Sequence, residues 1–372
     1  MLISISRNLM LVALFLTGTL FPLLGFPPPQ SPPSPEATQA VNIDTIIFLP
    51  MSFGSPLVTP PTPTPPTPTP STPTPPPPTP TAPTPTLPPI GDAIVVDHTS
   101  LALFDQIPDQ YLTAARSLPM MFSDRSVGYN INDALDCLTA PSWGESPASC
   151  RRDYLTPTTT DWKTYNTEEL ANGDVPELIQ FPASSTIYSR ANWTYTDCAA
   201  DWSTMTGYFI NTLAPQYLPT KTVLSCQFSY LNVDDGSGIS DPLTGYFAST
   251  SAYDVYDLEA FIAQHPEKEF IFWTSSLARS IGTREATDFN DQMRRYAIEH
   301  DKILFDMADI ISHDRFGNPC YDNVNDGVNY PAICRDYTTE TDGGHLGSVS
   351  GGKIVMAKAF WVLMAQIAGW NP

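Results

Sequence analysis

The stretch Lys268-Glu269-Phe270-Ile271-Phe272-Trp273-Thr274 is a continuous apolar run closed at both ends by polar residues. A strand that reads this way is covered on both faces, as in a parallel sheet. The neighbouring segments agree with that reading. Residues 287–300 are amphipathic, with Phe289, Met293 and Tyr296/Ala297 on one face, and Lys302–Ala308 is the next strand-like run. Lys353–Ala368 then reads as a long apolar helix. Upstream, Thr222–Phe228 is strand-like and Tyr256–Gln264 helical. Alternation of buried strands with helices predicts a doubly wound, mostly parallel α/β sheet, with its site at the carboxyl ends of the strands.

Further upstream, Ala93–Val96 and Ser117–Phe122 are short strand candidates. From Ser126, the apolar positions Val127, Ile131, Ala134 and Leu135 recur at helix spacing, with Ser123 or Ser126 available as N-cap. Residues 138–220 show no steady period. They read as loops and short strands inserted over the top of the sheet, with Trp162, Trp193 and Trp202 as its miniature core or as platforms for sugar rings.

The folded region is expected over residues 91–372. Residues 27–90 are a Pro/Thr-rich linker, and the chain's 40 prolines lie mostly before residue 90. Proline supplies no amide donor, so residues 57–90 should form an extended polyproline rod, roughly 100 Å long at ~3.1 Å per residue. Residues 1–26 place Arg7 before an apolar run and read as a signal peptide. The run over residues 9–26 approaches bilayer-spanning length, so a membrane anchor is the alternative. Either way the protein is expected to be secreted or at the cell surface.

Asp and Glu total 39 against 18 Lys and Arg, a net charge of −21, which argues against nucleic acid as a partner. Six cysteines without a CxxC pair, and five histidines without HExxH, do not suggest zinc, and no cofactor is expected. In an exported chain the cysteines suggest disulfides. Cys137–Cys150 and Cys320–Cys334 bracket short loops, which leaves Cys198 to pair with Cys226. The run Asp322–Gly327 looks calcium-like but fails the EF-hand template, because Val324 takes a ligand position and Ile333 the place of the closing Glu. Asn192-Trp193-Thr194 is a glycosylation sequon.

Chemistry is suggested by two stretches far apart. In Thr341-Asp342-Gly343-Gly344-His345-Leu346-Gly347 an acid precedes a histidine by three residues with two glycines between, so one turn can hold both side chains. A carboxylate on one imidazole nitrogen leaves the other free for proton transfer, which is half of a serine-hydrolase charge arrangement. The other half is sought in Met121-Phe122-Ser123-Asp124-Arg125-Ser126-Val127-Gly128, where an apolar run ends and a helix begins. A helix start offers unpaired amides to an oxyanion. Taken alone, either serine also reads as a helix cap, and His345 as a loop histidine before the last helix.

Taken together, Phe122–Gly128, Phe289–Arg294, Leu304–Ala308 and Thr341–Leu346 resemble the SGNH (GDSL-like) hydrolase superfamily, in a poorly characterised bacterial branch, over about residues 95–370. The resemblance implies a flavodoxin-like SGNH domain carrying a disulfide-bearing insertion. It also implies His345 as general base, Asp342 as its orienting acid, and a serine nucleophile. Where the family has Gly-Asp-Ser this chain has Ser123-Asp124-Arg125-Ser126; Ser126 is preferred and Ser123 is the alternative. Asn232 is the oxyanion candidate that the resemblance implies. The expected activity is hydrolysis of an ester, with acylated carbohydrate as one substrate class. The competing reading is a non-catalytic cell-surface binding module on the same scaffold.

Overall fold

A computed structural model describes residues 93–151, 179–198, 205–226, 239, 253–279, 284–322, 327–338, 340, 343–346 and 351–372. The expected leader and linker therefore lie outside the described residues.

Six strands form one parallel sheet: β1 (Ile94–Val96), β2 (Met120–Asp124), β3 (Trp193–Asp197), β4 (Val223–Cys226), β5 (Glu269–Trp273) and β6 (Ile303–Phe305). Their order is β1-β6-β5-β4-β2-β3. Counted from β2, the five strands β2–β6 run 2-1-3-4-5, the flavodoxin-like order, with β1 added at the far edge. The chain leaves β2 towards β3 on one side and resumes with β4 on the other. The carboxyl end of β2 is thus the topological switch point.

Strand side chains alternate between two apolar layers, as the pleat requires. Met120, Phe122, Ile271, Trp273, Ile303 and Phe305 face one layer. Met121, Leu224, Phe270, Phe272 and Leu304 face the other. The first layer is built by α1 (Asp109–Ser117), α2 (Ser126–Leu138) and, after all other elements, α6 (Gly351–Ile367). On α2, Val127, Ile131, Ala134, Leu135 and Leu138 are buried, one stripe at helix spacing. α6 is buried nearly all round, because α1, α2 and the 3-10 segment His98–Gln106 surround it. This explains its apolar sequence, and each fully buried Phe or Leu there contributes roughly 1.5–3 kcal/mol. Among the described residues, no helix is long and apolar enough to cross a membrane.

The second layer holds the helical stretch Met205–Tyr217, α3 (Val255–Ile262) and α4 (Arg284–Glu299). A short α5 (Met307–Ile311) comes directly after β6, so Lys302–Ala308 is a three-residue strand turning into a helix at Asp306. The Asp306 carboxylate accepts from the Asp309 amide at 3.2 Å and caps that helix. A two-stranded hairpin, Tyr321–Asp322 with Tyr330–Pro331, lies apart from the main sheet.

Two expectations need correction. Residues 138–220 are not simply laid over the sheet. They contribute edge strand β3 and a helical stretch, and Trp193 is 5% exposed in the main core, packed on Trp361 at 4.4 Å between ring centroids. It offers no platform to a sugar; Trp162 and Trp202 lie outside the described residues. The second correction concerns the cysteines. Cys137–Cys150 and Cys320–Cys334 are bonded, but Cys198 and Cys226 are buried thiols with no disulfide between them. Cys226 pairs in register with Ser123 on one side of β2, and the Cys198 amide bonds the Asp124 carbonyl on the other. Two strand spacings of ~4.8 Å separate such backbones by more than the ~7 Å a disulfide can bridge. The thiols instead hydrogen-bond, which together with burial pushes the Cys226 thiol well up. Two disulfides fit an oxidising compartment.

Candidate active site

Ser126 is the first residue of α2, immediately past the carboxyl end of β2. Arg125 is the N-cap and makes no side-chain cap bond, so neither serine caps the helix. Ser126 is half-buried, whereas Ser123 is 0% exposed with its hydroxyl unpartnered inside the sheet. The Ser123 hydroxyl cannot meet a substrate, and Ser126 sits where the first amides of a helix have no intrahelical partner.

The turn that carries Ser126 is pinned from the side. Tyr195, on β3, donates its hydroxyl to the carbonyls of Asp124 at 2.9 Å and Arg125 at 3.1 Å. Gly128 leaves room for this clamp: a Cβ there would lie 2.6 Å from Asp124 Cβ and 2.9 Å from Tyr195 Cε2. Beneath the turn the Asp124 carboxyl is fully enclosed. Burial pushes its pKa up to about 7, against a smaller downward pull from the Arg125 and Gly128 amides. Those amides are near enough to act on the charge, yet neither carboxyl oxygen completes a hydrogen bond of good geometry.

The histidine comes from the other end of the chain. Glu340 Oε1 lies 2.6 Å from His345 Nδ1, and Glu340 Oε2 accepts from the His345 amide at 3.0 Å. One carboxylate therefore fixes both the ring and the backbone that carries it, and Nε2 is the ring nitrogen that Glu340 does not engage. Gly343 makes this possible. Its φ is +149°, and a Cβ there would lie 2.2 Å from Glu340 Oε2. Asp342, expected as the orienting acid, lies outside the described residues; the carboxylate on Nδ1 is that of Glu340. The sequence does contain Glu340, but five residues before the histidine it matches no motif, and only the backward fold of the glycine turn brings it to the ring.

Two anchors fasten the histidine segment to the body of the domain, one on α2 and one on the loop leaving β5. Asn130, one helical turn after Ser126 on the same face of α2, accepts the Leu346 amide at 2.9 Å. Arg279, in the loop leaving β5, pairs with Gly343 by two backbone bonds of 2.8 and 3.2 Å. That loop is itself tied down by Asn290, whose Oδ1 accepts the Ser275 amide at 2.8 Å. Arg279 also donates to the Ile333 carbonyl at 3.0 Å, next to the Cys320–Cys334 bridge. Gly343 is thus tied to the loop leaving β5 and Leu346 to α2, which places the Glu340–His345 segment at the end of the sheet where Ser126 opens α2. Asn232, the oxyanion candidate, lies outside the described residues, as does most of the calcium-like run.

Chemically, a carboxylate-held imidazole can use its second nitrogen to take a proton from a neighbouring hydroxyl and return it to a leaving group. The amides opening α2, at the positive end of a 13-residue helix, are of the kind that can hold a developing oxyanion. The chain matches no family model, no curated protein and no solved structure.

Proposed function

We propose that the protein is an exported serine ester hydrolase of SGNH type, with Ser126 as nucleophile, His345 as general base and Glu340 as the acid that orients it. The reading is carried by the bond from Leu346 to Asn130, which fastens the histidine segment to the helix that Ser126 opens. The strand order, the placement of Ser126 at the switch point and the Glu340–His345 pair support it. In this mechanism Nε2 of His345 accepts the Ser126 proton as the oxygen attacks the ester carbonyl. The α2 amides hold the oxyanion, and the alcohol leaves with the proton. Water then repeats the sequence on the acyl-enzyme. Acylated carbohydrate is the proposed substrate class.

Fluorophosphonate labelling of the purified protein, with peptide mapping of the product, tests this directly. Modification of Ser126, lost in Ser126→Ala and His345→Ala, is expected, with turnover of p-nitrophenyl acyl esters. Labelling at Ser123 would move the nucleophile. Absence of both labelling and turnover would favour the binding-module reading.

A further inference from the structure

We infer that His98, Asp309 and His313 form a binding site for a divalent transition metal of the zinc class. The site lies towards the opposite edge of the sheet from Ser126 and is independent of the proposed hydrolase activity. His98 comes just after β1, Asp309 lies on α5 and His313 just beyond it, so three segments meet at the carboxyl ends of β1 and β6. Among the described residues, this is the group of His, Cys, Asp and Glu whose ligand atoms gather, all within 4.8 Å of one another.

The two imidazoles stack with ring centroids 3.6 Å apart and planes 11° from parallel. Both turn their Nδ1 edge towards Asp309. His98 Nδ1 contacts Asp309 Oδ2, and His313 Nδ1 lies 3.5 Å from Oδ1 and 2.8 Å from the Asp309 carbonyl. Two nitrogens on one tetrahedral ion, at ~2.0–2.1 Å each, stand roughly 3.3 Å apart. The ring planes are nearly parallel in the observed stack, so one imidazole must rotate about its Cβ–Cγ bond for nitrogens of both rings to reach one ion. The side chains of His98, Asp309 and His313 are 27%, 22% and 19% exposed, sunk enough to be ordered and open enough for an ion to enter.

The surroundings leave Asp309 as the negative charge of the group. The neighbouring buried Asp306 is already held by Arg294, at 2.9 Å from Nη2. The Asp309 carboxylate also accepts the His98 amide at 2.9 Å, a bond that orients a ligand carboxylate. Two imidazoles and one carboxylate are a borderline donor set that suits zinc, nickel or copper, whereas calcium takes oxygen donors. Three protein ligands leave one position for water. No local spacing marks the site, because His98 and His313 lie far apart in the domain sequence. An ion here would clamp β1, a three-residue edge strand, to the segment just after its one sheet neighbour.

The test is a zinc titration of the full chain by calorimetry after dialysis against chelator, with cobalt(II) as a spectroscopic probe. We expect one saturable equivalent, visible-region cobalt bands that zinc displaces, and a melting temperature raised by zinc. His98→Ala and His313→Gln should each weaken binding at least tenfold while far-UV circular dichroism stays that of the parent; His345→Ala should bind as the parent does. His313→Gln keeps the edge-strand contacts of His98, so a loss there is not a folding defect. The inference is overturned by absence of saturable binding, by binding unchanged in both the His98 and His313 variants, or by binding that is lost in His345→Ala.

Discussion

The side-chain oxygen of Asn130 accepts the backbone amide of Leu346 at 2.9 Å, across 216 residues of sequence. This bond joins the helix that starts at Ser126 to the residue after His345, and so ties the proposed nucleophile's helix to the segment of the proposed base. Leu346 itself is fully buried, so its amide has no water to fall back on. Asn130→Ala should therefore leave a buried donor unpaired and destabilise the protein by about 1–3 kcal/mol. It should also lower kcat more than it raises KM, because the base drifts relative to the serine. Steady-state ester hydrolysis and urea denaturation on the same preparation measure the two effects. A full stability loss with unchanged kcat would reduce Asn130 to a structural role.

The Glu340–His345 pair makes a separable prediction. Glu340→Gln keeps the shape but offers His345 an amide in place of a charge, so the imidazolium of the transition state loses its partner. Hydrolysis should fall by roughly 10²–10⁴-fold, the scale on which such orienting acids act. Asp342→Asn, the substitution that Asp-x-x-His spacing alone would select, is expected to be much milder. A larger loss in Asp342→Asn than in Glu340→Gln would reverse this assignment.

Asp124 predicts a pH dependence of stability. Its pKa is raised by burial from 3.8 to about 7 in the folded protein. The folded state thus holds this proton after the unfolded chain has lost it, and stability falls as pH rises from about 4 to about 7. Below that window both states are protonated and the effect vanishes; above it the loss levels off, on the order of 4 kcal/mol at most. Asp124→Asn removes the contribution. The variant should gain on the parent at pH 8 relative to pH 5, read as the difference between the two proteins in urea melts. Equal slopes for parent and variant would contradict the burial of an ionisable Asp124.

The disulfides differ in consequence. Their sequence separations, 13 and 14 residues, predict about 3 kcal/mol of stabilisation each. Cys137–Cys150 ties the end of α2, away from the chemistry. Cys320–Cys334 leads directly into the segment that carries Glu340, and the Cys334 amide is fixed to the Ile311 carbonyl at 2.9 Å. Replacing either pair by serine should lower the melting temperature by a similar amount, but only the second should depress hydrolysis measured well below that temperature. Thiol titration in denaturant without reductant should find two reactive groups, Cys198 and Cys226.

Much of the scaffold was legible because burial writes itself into sequence. Phe270–Trp273 is apolar without interruption since both its faces are covered, and Val127–Leu138 repeats at helix spacing since one face is. α6 reads as a buried helix for the same reason. β3 was not legible: as an edge strand only Trp193 of its five residues is buried, so Trp193–Asp197 carries no run to detect. His345, its glycine turn and the Ser126 junction stand out as local patterns. Glu340 does not, because the geometry that selects it is the positive-φ turn at Gly343, where absence of a side chain admits the Glu340 carboxylate. The difference in exposure between Ser123 and Ser126 is likewise set by the pleat, which sends one hydroxyl into the sheet and leaves the next serine at the helix start. Cys198 and Cys226 form no disulfide because β2 stands between their backbones, a matter of strand order. Sequence determines what is local or periodic here. Pairings that cross the sheet or reverse a turn, including His98 with Asp309 and His313, depend on chain segments brought together only by folding.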